Sequence, residues 1–196
     1  SIWEEQFEYN AFTQALYAAG LDAAQKLAKD LGLQDLADSY NGAAGTIRSA
    51  IQRSSTDGVA GLYNTTDGDS NWWYYNRAVN LDGTPRTTVD SSSDVLFTYG
   101  VLDMASKRAY NHYRKITATI SRDGTGIARY QGDTFYTGKN SWDPGGAETL
   151  DDEPSWPQMT MWIAMMELNS GYHALQERGY DRLQWYVDRT ALGYMP

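Results

Sequence analysis

Cysteine is absent from the 196 residues of this chain, which excludes disulfides, thiolate metal sites, iron–sulfur clusters and cysteine nucleophiles. Histidine is scarce as well, since His112 and His173 leave little for a histidine-built metal site or a serine–histidine triad. No apolar run approaches the roughly 18 residues that a membrane span needs. Basic residues number 16 against 25 acidic ones, and the net charge of −9 argues against a nucleic-acid partner, because basic patches supply most of the affinity for phosphate.

The composition is otherwise typical of a globular protein of one domain, with 41% hydrophobic and 21% charged residues. Aromatic residues are in excess, with 7 Trp, 15 Tyr and 4 Phe. Trp and Tyr offer flat apolar faces with a polar edge, which suits sugar rings, although filling a core is the alternative use for most of them. We expect neither a membrane partner nor a cofactor. The chain begins with Ser1 rather than Met, and we interpret it as a trimmed or excised polypeptide.

Helical periodicity dominates the chain and predicts an all-α structure of six helices. Short turns alternate with two long loops, 54–89 and 122–154, which we expect to collect at one end of the helices and to build a site. Gly20 and Gly42 interrupt the first two helices at about 1 kcal/mol each against Ala, so we expect another element to approach closely there. A short strand is predicted at 72–75. The predicted helices cover 6–30, 34–53, 91–102, 106–120, 156–169 and 172–190.

The first motif that could carry chemistry is Trp3-Glu4-Glu5, directly before the first predicted helix. Two acidic residues at a helix N-terminus also have a purely structural explanation, since they complement the positive end of the helix macrodipole. Adjacent carboxylates cannot flank one bond from opposite sides, because neighbouring side chains diverge. One of them can therefore act as a general acid only if a base lies elsewhere.

The second motif is the glycine-flanked segment 128–136, which combines Arg129, Tyr130, Asp133 and Tyr136. Arginine and aspartate can bind neighbouring hydroxyls of one sugar through charged hydrogen bonds, while aromatic faces cover its C–H surfaces. The structural alternative is an internal Arg129–Asp133 ion pair that orders the loop. The residue pattern does not choose between these two interpretations.

The third motif is the segment 153–158, which contains Trp156 and in which Pro and Ser are ordinary signals of a helix start. The methionines that follow are interpreted as core residues rather than as part of a cofactor site. Residues 67–78 begin like an EF-hand calcium loop, but Trp72 stands where the glycine belongs and Ala78 where the closing glutamate belongs. We therefore predict no metal site.

Taken in this order, the three motifs resemble the glucoamylase-type glycosidases of glycoside hydrolase family 15, which include glucoamylases, glucodextranases and some trehalases. Residues 3–5 with Phe12-Thr13 resemble the general-acid segment of that family. Residues 129–136 resemble its arginine–tyrosine substrate loop, and Trp156-Pro157 resembles the step that follows this loop. Asp90, which opens a predicted helix, is similar to a family aspartate. The resemblance extends over nearly the whole chain.

The resemblance implies an (α/α)6 toroid of twelve helices whose site lies where the loops meet at one end. It implies an inverting exo-hydrolase that releases glucose from α-linked oligosaccharides or polysaccharides and that needs no cofactor. It also implies that Glu4 is the general acid. The residues that it assigns to substrate binding are Trp3, Glu5, Arg129, Tyr130, Asp133, Tyr136 and Trp156.

The chain departs from the family pattern at both ends. The family's general base is a glutamate after the eleventh helix, and Pro196 falls at about the end of that helix. We therefore expect residues 1–196 to be one segment, about helices six to eleven, that pairs with the remainder of its own catalytic domain. Two alternatives remain open: a non-catalytic carbohydrate-binding or scaffold fragment of a helical toroid, and a polysaccharide-degrading enzyme of another toroid family.

Overall fold

The computed structural model describes residues 7–55, 61–122, 125–133 and 155–191, and these ranges contain six α-helices. The prediction of an all-α fold with six helices is confirmed. Four of the predicted helices agree with the structure within two residues at each end, namely α2, α4, α5 and α6. The helices are α1 Ala11–Asp30, α2 Gln34–Ile51, α3 Val95–Thr98, α4 Lys107–Ile120, α5 Pro157–Asn169 and α6 His173–Ala191.

Short β-strands lie before the first helix and in the connections between helices, and they do not form a separate layer. The largest sheet in the described ranges has three strands in the order β1-β4-β5, and two further pairs join β2 to β3 and β6 to β7. All of these pairs are antiparallel, and Tyr9 of β1 lies opposite Val79 of β4. The strands are β1 Glu8–Asn10, β2 Tyr63–Asn64, β3 Tyr74–Tyr75, β4 Ala78–Asn80, β5 Pro85–Arg86, β6 Ser121–Arg122 and β7 Gly126–Ile127.

The helices pack as pairs, α1 against α2 and α5 against α6, each pair joined by a three-residue turn. Gly32 and Gly171 lie in these two turns with φ of 72° and 75°, a conformation that residues with a Cβ rarely adopt. Contacts also join α1 with α3 and α3 with α5.

The first helix begins five residues later than the prediction of 6–30. Residues 8–10 pair with β4 instead, and the Asn10 side chain accepts a hydrogen bond of 2.9 Å from the backbone N–H of Phe12. This side chain caps the helix, because it satisfies one of the backbone donors that a helix start leaves unpaired. No acidic residue lies in the first turn of α1.

The predicted helix 91–102 is broken and shorter. Residues Ser91–Asp94 form a 3-10 turn capped by Asp90, and α3 continues only to Thr98 before Gly100 turns the chain with φ of 69°. The strand predicted at 72–75 is also shorter, since a 3-10 turn over Ser70–Trp72 precedes β3. Local polar caps decide both differences, because Asp and Ser compete with helix and strand for the backbone donors.

The close approach expected at the two helical glycines is wrong. A Cβ built at Gly20 or at Gly42 meets no atom within 4 Å. The crowded helical glycine is Gly179 in α6, where a Cβ would lie 2.8 Å from Cγ of Leu168 and 3.2 Å from Cβ of Glu167. Gly179 therefore lets α6 approach α5 closely, whereas Gly20 and Gly42 carry only their helix-propensity cost.

The core lies between the helix pairs and takes many of the aromatic residues. Buried alanines of α1, such as Ala15 and Ala18, allow close packing, and α5 contributes Met159, Ile163 and Met166, as expected of a core helix. Met165 of the same helix is exposed. No helix in the described ranges is long and apolar enough to cross a membrane.

Candidate active site

The site is built where the loop after β7 crosses the segment that leads into α3. Gln131 N–H donates to the carbonyl of Val89 at 2.8 Å, and the backbone N–H and hydroxyl of Ser91 both donate to the carbonyl of Arg129, at 2.9 and 2.7 Å. The N-terminus of α5 joins the same place, since Trp156 N–H donates to the carbonyl of Ile127 at 2.8 Å. These backbone bonds bring the second and third motifs of the sequence together.

Arg129 and Asp133 form a buried, two-point ion pair. The guanidinium donates from Nε to Oδ2 of Asp133 at 2.7 Å and from Nη2 to Oδ1 at 2.5 Å. The two side chains are only 6% and 0% exposed. The internal pair weighed above is therefore present, and it is buried rather than solvent-facing. Such a bidentate pair holds the guanidinium plane in one orientation.

A second group of charges lies beside this pair. Arg77, between β3 and β4, donates from Nε to Oε1 of Glu8 at 3.0 Å, and the same nitrogen lies 3.5 Å from Oδ2 of Asp90. Arg86 places Nη1 3.8 Å from Oε2 of Glu8. Asp90 also caps the following turn by accepting from Ser92 N–H at 2.8 Å. We call Glu8, Arg77, Asp90, Arg129 and Asp133 the loop cluster.

Aromatic rings connect the two groups of charges. The guanidinium carbon of Arg77 lies 4.7 Å from the centroid of the Tyr130 ring, and that of Arg129 lies 5.2 Å from the same centroid. Arg129 also lies 4.7 Å from the centroid of the Trp156 ring. A cation within about 6 Å of a ring centroid is attracted to the ring, and the attraction is stronger where water is excluded. The result is a continuous chain of contacts from Arg77 through Tyr130 and Arg129 to Trp156.

The loop cluster costs desolvation free energy, because each ion has left water. Its carboxylates and guanidinium groups compensate this through short charged hydrogen bonds and ring contacts. Breaking one partner of such a buried pair is far more destabilising than the pair is stabilising, at about 3–5 kcal/mol. The loop cluster therefore holds charged and aromatic side chains rigidly together at low exposure.

Four of the eight predicted site residues fall in the described ranges, and the structure brings these four together: Arg129, Tyr130, Asp133 and Trp156. The other four lie outside the described residues: Trp3, Glu4, Glu5 and Tyr136.

Sequence reasoning missed Glu8 and Arg77 as members of the site. Asp90 was singled out only as a helix opener and by its resemblance to a family aspartate. A signal for Arg77 exists in the sequence, where it is the single charged residue of the largely aromatic and apolar run 72–79. Glu8 carries no such signal, because its partner Arg77 is 69 residues away.

A buried Ser93–Asp94–His112 group has the residue types of a catalytic triad but not its geometry. Nδ1 of His112 accepts from the backbone N–H of Tyr75 at 3.1 Å, whereas Ser93 Oγ and Asp94 Oδ1 both lie 3.2 Å from Nε2. A triad needs the serine and the carboxylate on opposite ring nitrogens. His112 is therefore structural. Burial, as the larger effect, raises the pKa of Asp94, against the lowering influence of His112.

A second buried ionic cluster lies between α4, α5 and α6. Arg182 donates from Nε to Oε2 of Glu167 at 2.8 Å, and Tyr113 donates its hydroxyl to Oε1 at 2.8 Å. Burial and the Glu167 carboxylate raise the pKa of Tyr113. We call Tyr113, Glu167 and Arg182 the helix cluster. Tyr113 and Glu167 also line a cavity of about 180 Å³ between the start of α4 and the turn that joins α5 to α6.

Metal binding has no support from the described ranges, which contain no group of three or more acidic or histidine side chains arranged to hold an ion. The calcium-like segment at 67–71 forms local turns instead: Asp67 accepts from Asp69 N–H at 3.2 Å, and Asp69 accepts from Asn71 N–H at 2.9 Å. These aspartates therefore serve the backbone of their own loop.

Comparison with known proteins identifies the family. The model of the glycosyl hydrolases family 15 matches residues 1–194. This chain belongs to that family. The interpretation as another polysaccharide-degrading toroid family is therefore set aside. No sequence among curated proteins matches the chain.

Three solved structures share the fold of this family 15 chain. A glycosidase variant in complex with glucose has 18% identity and a TM-score of 0.64, covering 96% of this chain and 41% of that one. A bacterial glucoamylase complexed with acarbose has 21% identity and a TM-score of 0.66, covering 92% and 28% respectively. A sialidase has 14% identity and a TM-score of 0.66, covering 94% and 16%. The chain thus spans less than half the length of each.

Proposed function

We propose that residues 1–196 are one segment of a glycoside hydrolase catalytic domain that releases glucose from the non-reducing ends of α-linked glucosides with inversion. Family membership supports the hydrolase class. The complexes of a glycosidase with glucose and of a glucoamylase with acarbose support a sugar substrate. The observation that carries the proposal is the buried contact of Arg129 with Asp133, Tyr130 and Trp156.

Arg129 binds hydroxyls of the sugar at the cleavage point in this proposal. Its guanidinium is held by Asp133 and lies against two aromatic rings, so little rotational freedom remains to be lost when a sugar binds. Tyr130 and Trp156 present apolar faces suited to the C–H surfaces of a sugar, and Asp133 orients the guanidinium or shares the sugar. Trp3, Glu5 and Tyr136 complete the binding site.

Glu4 is the general acid in this proposal. It protonates the glycosidic oxygen as the bond from that oxygen to the anomeric carbon breaks, while a base removes a proton from the attacking water. The purely structural interpretation of Glu4 and Glu5 has lost its support, because α1 begins at Ala11 and is capped by Asn10. Glu4 precedes Glu8 by four residues, and Glu8 is tied to Arg77 in the loop cluster.

The general base comes from a part of the domain other than this segment. Acid and base of an inverting enzyme flank the bond and a water at about 6.5–9.5 Å, so Glu4 can be only one of them. Of the other glutamates, Glu167 is committed to Arg182 and Tyr113 at full burial, and Glu177 is 67% exposed next to His173. Glu8 is paired with Arg77 at full burial, and Glu148 and Glu153 lie outside the described residues. None of the three described glutamates is suited to activate a water beside Arg129.

The segment forms part of an (α/α)6 toroid with the remainder of its own domain. The contact order α1–α3–α5 is that of an inner row of helices, with α2, α4 and α6 outside it. The α1–α2 hairpin exposes a run of leucines near its turn: Leu27, Leu31, Leu33 and Leu36 are 60%, 64%, 49% and 42% exposed. Apolar surface of this kind marks an interface, and we assign it to the remainder of the domain.

Kinetics of the intact domain test the acid. Glu4→Gln should lower kcat on maltose by a large factor with a modest change in KM, because the amide cannot donate the proton. Glu5→Gln is the matched control and should act mainly on KM. If Glu5→Gln abolishes turnover and Glu4→Gln leaves most of it, the assignment is reversed.

Residues 1–196 alone should show little or no hydrolysis of maltose or isomaltose, because the base is missing. Glucose release from this segment that is robust and unaffected by Glu4→Gln would contradict the proposal. A non-catalytic scaffold gives a third result: the intact protein would show no turnover and its sugar affinity would not change in Arg129→Lys.

A further inference from the structure

We infer that Arg77 is a positioning residue for Arg129 and that it acts through the ring of Tyr130, while Glu8 and Asp90 hold it in place. The inference rests on the proposed role of Arg129 in sugar binding. It assigns a role in substrate affinity to two residues, Arg77 and Glu8, that the family motifs quoted above do not include.

The guanidinium of Arg77 is held by acids from two separate parts of the chain. Glu8 belongs to β1 and lies 3.0 Å from Nε, whereas Asp90 precedes α3 and lies 3.5 Å from the same atom. All three side chains are at most 1% exposed. A cation compensated in this way at full burial has little freedom to move, because any displacement leaves a buried charge unpaired.

Tyr130 transmits this fixed position to Arg129. Its ring centroid lies 4.7 Å from the guanidinium carbon of Arg77 and 5.2 Å from that of Arg129. The backbone of Tyr130 forms a β-bridge with Asp90, which fixes the Cα from which the ring extends. Contact with Arg77 selects the ring orientation, and the ring in turn supplies one of the surfaces against which Arg129 packs.

Arg77 also connects this arrangement to the start of α1. The carbonyl of Arg77 accepts from Ala11 N–H at 2.9 Å, and β4, directly after Arg77, pairs with β1. Arg77 thus contacts both the segment that follows Glu4 and the ring that contacts Arg129. We expect its loss to loosen sugar binding more than it slows the chemical step.

Steady-state kinetics of the intact domain on maltose test the inference with Arg77→Lys. Lysine keeps the charge but lacks the planar guanidinium that packs on a ring, so KM should rise about 10-fold or more while kcat changes less than 3-fold. Arg86→Lys is the matched control, because Arg86 shares Glu8 as a partner from a position that is 29% exposed. It should leave KM unchanged.

A double-mutant cycle separates positioning from a structural role. If Arg77 acts through Arg129, Arg77→Lys/Arg129→Lys should have nearly the KM of Arg129→Lys alone, because both changes disrupt the same contact. Additive effects on KM, or a lowered melting temperature with unchanged KM in Arg77→Lys, would overturn the inference. If Arg129→Lys itself leaves KM and kcat unchanged, the proposed function fails instead.

If Arg77→Lys does not fold, substitutions of Tyr130 test the same inference. Tyr130→Phe retains the ring face and should keep KM within about 3-fold, whereas Tyr130→Leu removes it and should raise KM about 10-fold. Tyr130→Leu combined with Glu8→Gln should be no worse than Tyr130→Leu alone. Equal KM values for the Phe and Leu variants would also overturn the inference.

Discussion

The loop cluster and the helix cluster contain the same chemistry and differ in what surrounds it. Each contains a guanidinium bonded to a carboxylate at full burial, Arg129 with Asp133 in one and Arg182 with Glu167 in the other. The helix cluster joins regular helices and includes a tyrosine hydroxyl as its third member. The loop cluster joins irregular segments at helix N-termini and adds two aromatic rings to Arg129.

This difference shows that a buried ion pair by itself says little about function. In the helix cluster, Glu167 of α5 binds Arg182 of α6, and Arg182 also donates to the carbonyl of Thr125 between β6 and β7. The cluster therefore joins the two helices and this turn. In the loop cluster every charge except that of Glu8 is held on a loop, and loops carry binding residues more often than the helices they connect. Under the proposed function, the two rings beside the guanidinium pack against the sugar. If the two clusters differ in this way, substitutions in the helix cluster should lower mainly folding stability and Arg129→Lys in the loop cluster should lower mainly kcat/KM.

The largest effect is expected for Glu167→Gln in the helix cluster. The substitution leaves Arg182 buried without its counter-charge, so the free energy of unfolding should fall by about 3–5 kcal/mol. Glu177→Gln, at a glutamate that is 67% exposed, is the control and should change little. Chemical denaturation measures both, and kcat/KM of the folded fraction should stay constant. A change in KM without loss of stability would show that the helix cluster is functional.

Gly179→Ala should destabilise the packing of α6 against α5 next to the helix cluster. The added methyl group overlaps Leu168 and approaches Glu167, and overpacking of this kind costs about 1–3 kcal/mol. Gly20→Ala has open space around the new methyl group and should stabilise the helix by about 0.4–1 kcal/mol. Melting temperatures of the two variants should therefore move in opposite directions; a shift in the same direction contradicts the packing described here.

Arg129→Lys is the corresponding change in the loop cluster. Lysine cannot reproduce the two parallel bonds to Asp133, so kcat/KM in the intact domain should fall about 10-fold or more, or about 1.4 kcal/mol and above. Folding stability should fall less than in Glu167→Gln, because lysine keeps a positive charge opposite the buried Asp133. Arg178→Lys, beside the helix cluster at 52% exposure, is the control. If Arg129→Lys lowers the melting temperature and leaves the kinetics intact, the two clusters are both structural.

The pH dependence of stability tests Asp94, which lies near Asp90 of the loop cluster. Burial raises its pKa, so the folded state retains a proton that the unfolded state has already released. Stability contributed by Asp94 is therefore lost as pH rises above the normal aspartate pKa, by at most about 1.4 kcal/mol per pH unit. Asp94→Asn should gain stability relative to the parent over this window. Asp181→Asn, at an exposed position, should give a flat difference.

Much of the fold was predictable because its signals are local. The 3.6-residue spacing of apolar residues located α2, α4, α5 and α6, and the glycine and proline residues between them located the loops. The resemblance to the family assigned Arg129, Tyr130, Asp133 and Trp156 to one site, and the structure brings these four side chains together. The roles of these residues, and that of Glu4, remain predictions.

Sequence by itself determined which residues form helices and which loop carries the arginine, because periodicity and turn chemistry act over a few residues. Only the tertiary structure decided that helix α1 begins at Ala11, since β1 finds its partner β4 across the chain. It likewise decided that Arg77 joins the site through Glu8, a partner 69 residues away. A buried charge must find its counter-charge wherever the packed chain places it, and this pairing is a property of the fold rather than of the local sequence.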